Sequence, residues 1–279
     1  MSGFVCPVCG EKLEESGGAV RCKAGHSFDK AKEGYVNLLL ASRMRTKAPG
    51  DSKEMVAARH RFLNGGGYAP FAEELARLCT ELARKKGGVL HILDAGCGEG
   101  YYDSVICAAL EKEGLGYELA GFDISKAAVR LAAKRKIPHA AFAVASSFAA
   151  PVETGWADVV LNVFSPFAGS EFHRCLAAGG RLIYAVPTAG HLMGLKDVLY
   201  DEPYENPCQQ VAYEGFSLAG ETRVDDSLSV QGQAISDLFA MTPYYWKTPA
   251  QGSARLAGLG KLDTAIGFRF LLYDKIDIK

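Results

Sequence analysis

The stretch from residue 87 to residue 110 reads GGVLHILDAGCGEGYYDSVICAAL, and it decides the fold. The apolar run 89–93 is typical of a short buried strand, and a helical pattern begins near Glu99. Three glycines in the loop between them let the backbone approach a ligand closely. The N-terminus of the following helix offers free N–H groups and a positive dipole. The sequence therefore predicts an α/β sheet with a ligand site where this strand passes into its helix.

Four more strand patterns follow this one, and helical patterns separate them. The first of the four ends at Asp123, and Ser125 is placed to cap the next helix. A carboxylate at the end of a second strand can accept two hydrogen bonds from ribose hydroxyls, although an exposed loop acid is the alternative. The remaining strand patterns cover 139–147, 155–167 and 176–188. Five strands alternating with helices predict a mostly parallel, doubly wound sheet.

The glycine spacing distinguishes between two kinds of nucleotide loop. In the dinucleotide fingerprint two residues separate the second and third glycines, whereas here Gly100 comes one residue early and Tyr101 occupies the expected place. The form D-x-G-x-G-x-G, with Asp94, Gly96 and Gly98 before Gly100, resembles the first motif of the methyltransferases that use S-adenosyl-L-methionine (AdoMet). The resemblance to their class I, Rossmann-like fold covers roughly residues 70 to 190. It implies AdoMet binding by these four residues and by Asp123.

A second chemical signal lies near the start of the chain. Cys6 and Cys9 form C-x2-C, twelve residues intervene, and Cys22 and His26 form C-x3-H. This is the two-plus-two ligand pattern of a structural zinc ion, with a coincidental cluster as the alternative. Three thiolates and one imidazole complete a tetrahedron, so no coordination position remains for a catalytic water. The sequence predicts one structural zinc per chain.

Composition sets the limits within which these motifs are interpreted. The chain has 279 residues, 48% hydrophobic and 23% charged, with a formal net charge of −1. This length favours about two domains, and the composition is that of an ordinary globular protein. The opening residues have no apolar signal-peptide core, and no stretch approaches ~20 apolar residues. We therefore expect a cytoplasmic protein that does not span a membrane.

The segment that joins the two motifs is locally basic. Residues 19–61 contain ten Lys and Arg against four Asp and Glu. Such an excess suits contacts to nucleic-acid phosphates, and a solvated basic face is the alternative. The residues that favour phosphate binding are Arg43, Arg45, Lys47, Lys53, Arg59 and Arg61. Asp51 followed by Glu54 resembles a capping box that opens a helix to about Asn64, and the glycines 65–67 then predict a flexible join.

Six motifs in order extend the resemblance to a particular family. They are the zinc-ligand cluster, KEGYVNLL (32–39), PGDSKEM (49–55), LDAGCGEGYY (93–102), DISK (123–126) and HLMGLK (191–196). Together they resemble the bacterial enzymes that methylate N1 of a guanine in a hairpin loop of 23S ribosomal RNA. The family implies an N-terminal zinc domain for RNA recognition, AdoMet contacts at Tyr68, Gly98, Glu99 and His191, and a homodimer. Some members confer macrolide resistance, depending on which guanine they modify.

This resemblance completes the predicted organisation of the chain. A zinc-binding RNA-recognition domain covers 1–40, a basic helical linker covers 41–69, and the methyltransferase domain covers 70–279.

The turn from Asn162 to Pro166 follows the fourth strand, where such enzymes hold the target base. No residue stands out as a general base. Residues 197–242 suit an insertion that contacts RNA or a second subunit. Two rival functions stay open: a small-molecule AdoMet methyltransferase and a non-catalytic zinc-containing RNA-binding protein.

Overall fold

The computed structural model describes residues 3–43, 49–208 and 212–278. Three short strands, β1 (Glu14–Ser16), β2 (Ala19–Arg21) and β3 (Ser27–Asp29), form a small antiparallel sheet near the N-terminus. The other strands are β4 (Val36–Asn37), β5 (Leu90–Ala95), β6 (Tyr117–Asp123), β7 (Ala140–Val144), β8 (Ala157–Val163), β9 (Leu176–Pro187), β10 (Phe216–Gln231) and β11 (Lys261–Lys275). The helices are α1 (Lys53–Asn64), α2 (Ala69–Lys86), α3 (Tyr101–Lys112), α4 (Lys126–Lys134), α5 (Gly169–Cys175), α6 (Met193–Leu199), α7 (Gln233–Ala240) and α8 (Ala250–Ala257).

Strands β4 to β11 form one sheet in the order β10-β11-β9-β8-β5-β6-β7-β4. Strands β4 to β9 are parallel to one another, and β10 and β11 are antiparallel additions at one edge. The five predicted strands are β5 to β9, so the predicted α/β class with a mostly parallel sheet is confirmed. Helix α3 begins at Tyr101 rather than near Glu99, because the glycine turn continues to Gly100 in a left-handed conformation.

The two faces of this sheet are covered by different parts of the chain. Neighbouring residues of β5 divide between the faces: Ile92 packs with the helices α1 to α4, whereas Leu93 packs on the other side. The second face is covered by α5 and by the N-terminal segment, through Phe4, Leu13 and Val20. The N-terminal segment, which carries the predicted metal ligands, thus covers part of the sheet face that a helix would cover in a doubly wound fold.

The N-terminal segment also joins the large sheet directly. Strand β4 pairs in parallel with β7, which puts residues 36 and 37 at the sheet edge. Phe4 forms an isolated bridge with Val152. The boundary predicted near residue 40 is therefore crossed by backbone pairing and by shared core packing.

Helix α1 is packed on the body of the protein rather than suspended as a linker. It contacts α7, α4 and α3. Its N-cap is Ser52, whose Oγ accepts from the N–H of Met55, so the predicted cap at Asp51 is displaced by one residue. The glycines that follow form a hydrogen-bonded turn, in which the N–H of Gly67 donates to the carbonyl of Phe62. A Cβ at Gly67 would lie 2.2 Å from the Phe62 ring, so the predicted flexible join is a tightly packed turn.

Candidate functional site

The four predicted metal ligands lie together in the structure. The donor atoms of Cys6, Cys9, Cys22 and His26 all lie within 4.8 Å of one another. Nδ1 of His26 is 3.3 Å from Sγ of Cys22 and 3.6 Å from Sγ of Cys6, and Sγ of Cys9 is 3.6 Å from Sγ of Cys22. In a tetrahedral zinc site with Zn–S and Zn–N bonds of ordinary length, donors are about 3.6–3.8 Å apart. The cluster therefore fits one zinc ion with no open position.

Two tight turns aim these donors at a common point. The N–H of Gly10 donates to the carbonyl of Cys6, and the N–H of Gly25 donates to the carbonyl of Cys22. Both glycines have positive φ, +78° and +88°, which other residues rarely adopt. Each turn returns the chain within four residues, so the close ligand pairs are built by local structure alone.

A cavity of about 750 Å³ lies at the carboxyl ends of β5, β6 and β8. This is the position expected for a ligand in an open parallel sheet. Most of the predicted cofactor residues line it, namely Tyr68, Asp94, Gly96, Gly98, Glu99, Asp123 and His191. Gly100 does not line the cavity.

The loop glycines have different surroundings. A Cβ at Gly96 would lie 2.6 Å from the side chain of Ser165, and a Cβ at Gly100 would lie 3.0 Å from Cβ of Ala132 on α4. At Gly98, by contrast, the nearest atom would be a guanidinium nitrogen of Arg59 at 4.0 Å. At Gly96 and Gly100 a side chain is excluded because other parts of the protein pack against the backbone. At Gly98 the space that a side chain would fill is open to the cavity.

The carboxylate of Asp123 is fixed by the backbone around the loop. Its Oδ2 accepts from the N–H of Gly98 at 3.1 Å, and its Oδ1 accepts from the N–H of Ser125 at 2.7 Å. Burial raises the pKa of Asp123, and these two hydrogen bonds oppose the increase. Each oxygen keeps capacity for a further donor, which is what binding to a pair of ribose hydroxyls requires.

Asp94 faces a second buried carboxyl group that the sequence analysis did not single out. Asp103 on α3 is fully buried, and neither of its oxygens has a nitrogen or hydroxyl donor. Oδ1 of Asp94 also lacks a donor. Burial raises the pKa of both groups, and their mutual repulsion raises that of Asp94 further. The pair is therefore compatible with one shared proton, or with a cation brought by a ligand.

Glu99 is held at the cavity by two side chains. Its Oε2 accepts from Arg135, the residue directly after α4, and lies 2.7 Å from Nδ1 of His60 on α1. Its Oε1 is buried and has no donor. One carboxylate oxygen is thus left for a ligand, while the other ties α1 and α4 to the loop.

Tyr68 and His191 come together although 123 residues separate them. The Tyr68 hydroxyl lies 3.4 Å from Nε2 of His191, and the N–H of Gly267 donates to Nδ1. This donation leaves the proton of the neutral ring on Nε2. Burial, together with the positive charge of Lys196, lowers the pKa of His191 to about 4, so the ring is neutral at pH 7.

Two arginines of the predicted basic segment form ion pairs with acidic residues of the protein. Arg59 lines the cavity and forms an ion pair with Asp51. Arg61 donates two hydrogen bonds to the buried Asp237 of α7, at 3.0 and 2.6 Å. Both arginines therefore have partners in the protein, which argues against the predicted contacts with RNA phosphates without testing them, and these contacts stay a prediction. Of the other predicted residues, Lys53 is exposed, while Arg45, Lys47 and the side chain of Arg43 lie outside the described part of the chain.

The turn after β8 has an unusual backbone. Phe164 has φ of +49°, a conformation rare for a bulky residue. Ser165 donates to the carbonyl of Ala95 at 2.7 Å, and the side-chain amide of Asn162 donates to Ser165 and to the carbonyl of Pro166. The turn is therefore fastened to the end of β5, beside the glycine loop.

Within the segment 197–242, described residues line the cavity and support its walls. Asn206 lines the cavity, and its Nδ2 donates to the carbonyls of Thr188 and His191. Its Oδ1 accepts from Nζ of the fully buried Lys196 at 2.8 Å and from the Tyr244 hydroxyl at 3.1 Å. The segment thus fastens the loop that carries His191. No local pattern could have revealed this, because the partners are distant in sequence.

Two family models match the chain. The model of the N-terminal zinc ribbon of RlmA matches residues 4–47, and a methyltransferase-domain model matches residues 93–184. The first contains all four metal ligands, and the second contains the glycine loop and Asp123. In the described ranges 3–43, 49–208 and 212–278, no helix has the length and apolarity needed to cross a membrane.

Three proteins are similar over nearly the whole chain. The 23S rRNA (guanine(748)-N(1))-methyltransferase of Streptomyces fradiae is 36% identical over 262 residues, covering 91% of this chain and 90% of its own. A protein of Micromonospora griseorubida, named as a candidate 23S rRNA (guanine-N(1)-)-methyltransferase, is 36% identical over 92% of this chain and 91% of its own. A Bacillus subtilis protein named in the same way is 32% identical over 97% of this chain and 96% of its own.

Proposed function

The chain belongs to the family of 23S rRNA (guanine-N(1)-)-methyltransferases, and from that premise we propose that it transfers a methyl group from AdoMet to N1 of a guanine in a hairpin loop of 23S ribosomal RNA. One observation carries the proposal. A single cavity holds the glycine loop at one side and the turn after β8 at the other, in a chain that also bears a zinc ribbon. A methyl donor and an acceptor base can therefore meet in one enclosed space.

The cofactor would lie across the ends of β5 and β6. Asp123 would accept from its ribose hydroxyls, and the open side of Gly98 would admit its close approach to the backbone. The unpartnered oxygens of Asp94 and Glu99 would accept donors from its amino-acid end. When bound, AdoMet supplies an activated methyl group, so the protein mainly has to align the acceptor and exclude water.

The guanine would enter beside the turn 162–166. Guanine N1 carries a hydrogen at neutral pH, and this proton must leave before or during transfer. Three carboxylates that line the cavity are each held through at least one oxygen: Asp51 and Glu99 in ion pairs, and Asp123 on two backbone N–H groups. The fourth, Asp94, lies beside the buried Asp103, and burial together with this neighbour raises its pKa. We therefore assign the chain the roles of positioning and desolvation, with water as the acceptor of the N1 proton.

The zinc ribbon would recognise the RNA rather than take part in the chemistry. Its four-ligand site has no open position, and it lies on the sheet face opposite α1 to α4. The predicted division into a zinc-binding domain, a linker and a methyltransferase domain, with boundaries at residues 40 and 69, stays a proposal about function, since packing joins the three parts.

We also propose a homodimer, because β10 leaves one edge of the sheet unpaired among the described residues. Light scattering coupled to gel filtration would contradict this if only a monomer eluted.

The test is methylation of unmodified large-subunit ribosomal RNA in the presence of AdoMet. A methyl at N1 blocks Watson–Crick pairing, and a loop guanine is accessible at low cost because it is already unpaired. Primer extension should therefore stop one nucleotide before a single loop guanine, which also identifies the site and whether it is one linked to macrolide resistance. Incorporation of methyl without a stop would mean that another atom is modified.

The same assay separates the two rival functions. A small-molecule methyltransferase would leave the RNA unmodified while methylating a small acceptor. A non-catalytic RNA-binding protein would bind the RNA and transfer no methyl. We propose that the protein acts in the cytoplasm with the ribosomal RNA, which fractionation of cells that produce it would check.

A further inference from the structure

The cavity is lined by more than the glycine loop and its neighbours. Three aromatic side chains in its lining stay exposed: Phe164 at 47%, Tyr204 at 48% and Trp246 at 68%. We refer to these three residues as the aromatic mouth. Single exposed aromatic residues are common on proteins, but three that converge on one cavity from separate segments are not.

Each member of the aromatic mouth is supported from behind. The Phe164 ring stacks on Phe71, with centroids 5.3 Å apart and planes 29° apart. The Tyr204 ring covers Nζ of the buried Lys196 at 4.6 Å, and this nitrogen also donates to the Tyr204 carbonyl. The Trp246 ring meets Tyr245 edge-on at 5.0 Å. Their free faces are therefore held in place without a ligand, which lowers the entropy cost of stacking on them.

The sheet order separates Phe164 from the predicted cofactor contacts. Phe164 follows β8, Asp123 ends β6, and β5 with the glycine loop lies between them. Neighbouring strands are about 4.8 Å apart, so the two positions are about 10 Å apart across the loop. A ribose at Asp123 and a flat ligand at Phe164 would thus lie on opposite sides of Gly98, where the methyl group has to pass.

We propose that the aromatic mouth seats the extruded target guanine, with Trp246 and Phe164 as its stacking faces. The proposal rests on the proposed function and names residues for it: Phe164 in the turn beside which the guanine would enter, and Tyr204 and Trp246 outside that turn. Enzymes that act on a base must take it out of its surroundings, and stacking on aromatic faces compensates for the stacking that is lost.

Fluorescence gives a direct readout, because the chain contains two tryptophans. The other, Trp156, packs against His91 and Gly3, away from the cavity. In a Trp156→Phe variant the emission therefore reports Trp246 alone. An rRNA hairpin that carries the target guanine should quench it. AdoMet alone should not, and neither should the same hairpin with an abasic site at that position. Quenching by AdoMet alone would mean that the aromatic mouth binds the adenine of the cofactor. Equal quenching by the abasic hairpin would mean that Trp246 does not contact the target base. Either result overturns the proposal.

Kinetics provide the second readout. Trp246→Ala should reduce kcat/KM for RNA about tenfold to hundredfold, the range expected for one lost stacking partner, while AdoMet affinity measured by calorimetry stays unchanged. Trp246→Phe should restore most of the loss. Phe148→Ala is the matched control, because Phe148 is 67% exposed and does not line the cavity.

Different results would contradict the proposed function and this inference. Wild-type protein that leaves ribosomal RNA unmethylated would remove the proposed function and this inference together. Wild-type methylation combined with full activity of Trp246→Ala and no quenching would remove this inference alone.

Discussion

The zinc ribbon and the cavity are built in opposite ways. The four metal ligands lie between residues 6 and 26, and two local turns bring them together. The cavity draws its lining from residues 50 to 246, in segments that follow many different strands and helices. A site that closes locally depends on a metal to be stable, whereas a site assembled from distant segments depends on the whole core.

This difference predicts how each region responds to substitution. Loss of one ligand should disable the zinc ribbon as a unit. A change in the cavity should affect only the contact it removes, as long as the sheet beneath it is intact. The following substitutions test that contrast, beginning with the largest expected effect.

Cys22→Ser should remove the metal. We expect about one zinc per chain in the wild type and none in the variant by elemental analysis, because structural zinc sites provide much of the folding free energy of their module. RNA methylation should fall at least about 100-fold, and AdoMet affinity should change little because its cavity lies outside the ribbon. Cys208→Ser, at an exposed cysteine outside the cluster, is the control. Equal zinc in both variants would contradict the ligand assignment.

Gly98→Leu should block the cofactor. The added side chain would occupy the open space at the loop, and each hydrogen bond to a charged group that is lost costs about 1.5–3 kcal/mol, so AdoMet affinity should fall about tenfold to hundredfold. Gly114→Leu is matched to it, since Gly114 also has positive φ and no atom within 4 Å of a Cβ. Both variants should lose similar stability from backbone strain. Calorimetry that finds equal AdoMet binding in the two would show that Gly98 does not face the cofactor.

Asp103→Asn should stabilise the cofactor-free protein at pH 8. Burial raises the pKa of Asp103 to about 7; interaction with the Asp94 carboxyl group and the charge of Arg135 lower it, and the charge of Glu99 raises it. The unfolded pKa is about 3.9, so between these values the native state binds more protons than the unfolded state, and stability falls as the pH rises from about 4 to about 7. The amide would also supply a donor for Asp94.

Thermal unfolding between pH 4 and pH 8 measures this effect. The variant should gain about 1–3 kcal/mol at pH 8 and show a weaker dependence on pH than the wild type. A variant that is less stable at pH 8, or that keeps the wild-type slope, would mean that the two carboxyl groups do not share a proton.

Arg61→Ala should have the smallest effect, and on stability rather than on RNA. The buried Asp237 would lose its bidentate partner, so the unfolding temperature should fall slightly; the loss is limited because Arg61 itself is half exposed and Nε2 of Gln233 still donates to Asp237. The dependence of RNA affinity on salt should stay unchanged. Lys53→Ala is the comparison, because Lys53 is exposed and a phosphate contact there would reduce the salt slope by about 0.7–0.9. A reduced slope in Arg61→Ala would support the sequence-based prediction for that residue.

Local sequence patterns determined the zinc cluster and the central strands of the sheet. The zinc cluster follows from spacing because its ligands lie close enough in the chain for two turns to unite them. Strands β5 to β9 follow from apolar runs because burial on both faces requires near-continuous apolar residues. Strand β10 was missed because it is an edge strand with mostly exposed side chains, and its pattern carries little hydrophobic signal.

The tertiary structure decided which partner each residue has. The spacing of Gly96, Gly98 and Gly100 is uniform, yet Ser165 and Ala132 pack against Gly96 and Gly100, so of the three only Gly98 leaves open space for a ligand. In the same way, a run of arginines does not reveal that Arg61 pairs with Asp237, 176 residues away. The physical reason is that hydrophobic periodicity and charge record whether a segment is buried, whereas the identity of what it is buried against depends on how the whole chain packs.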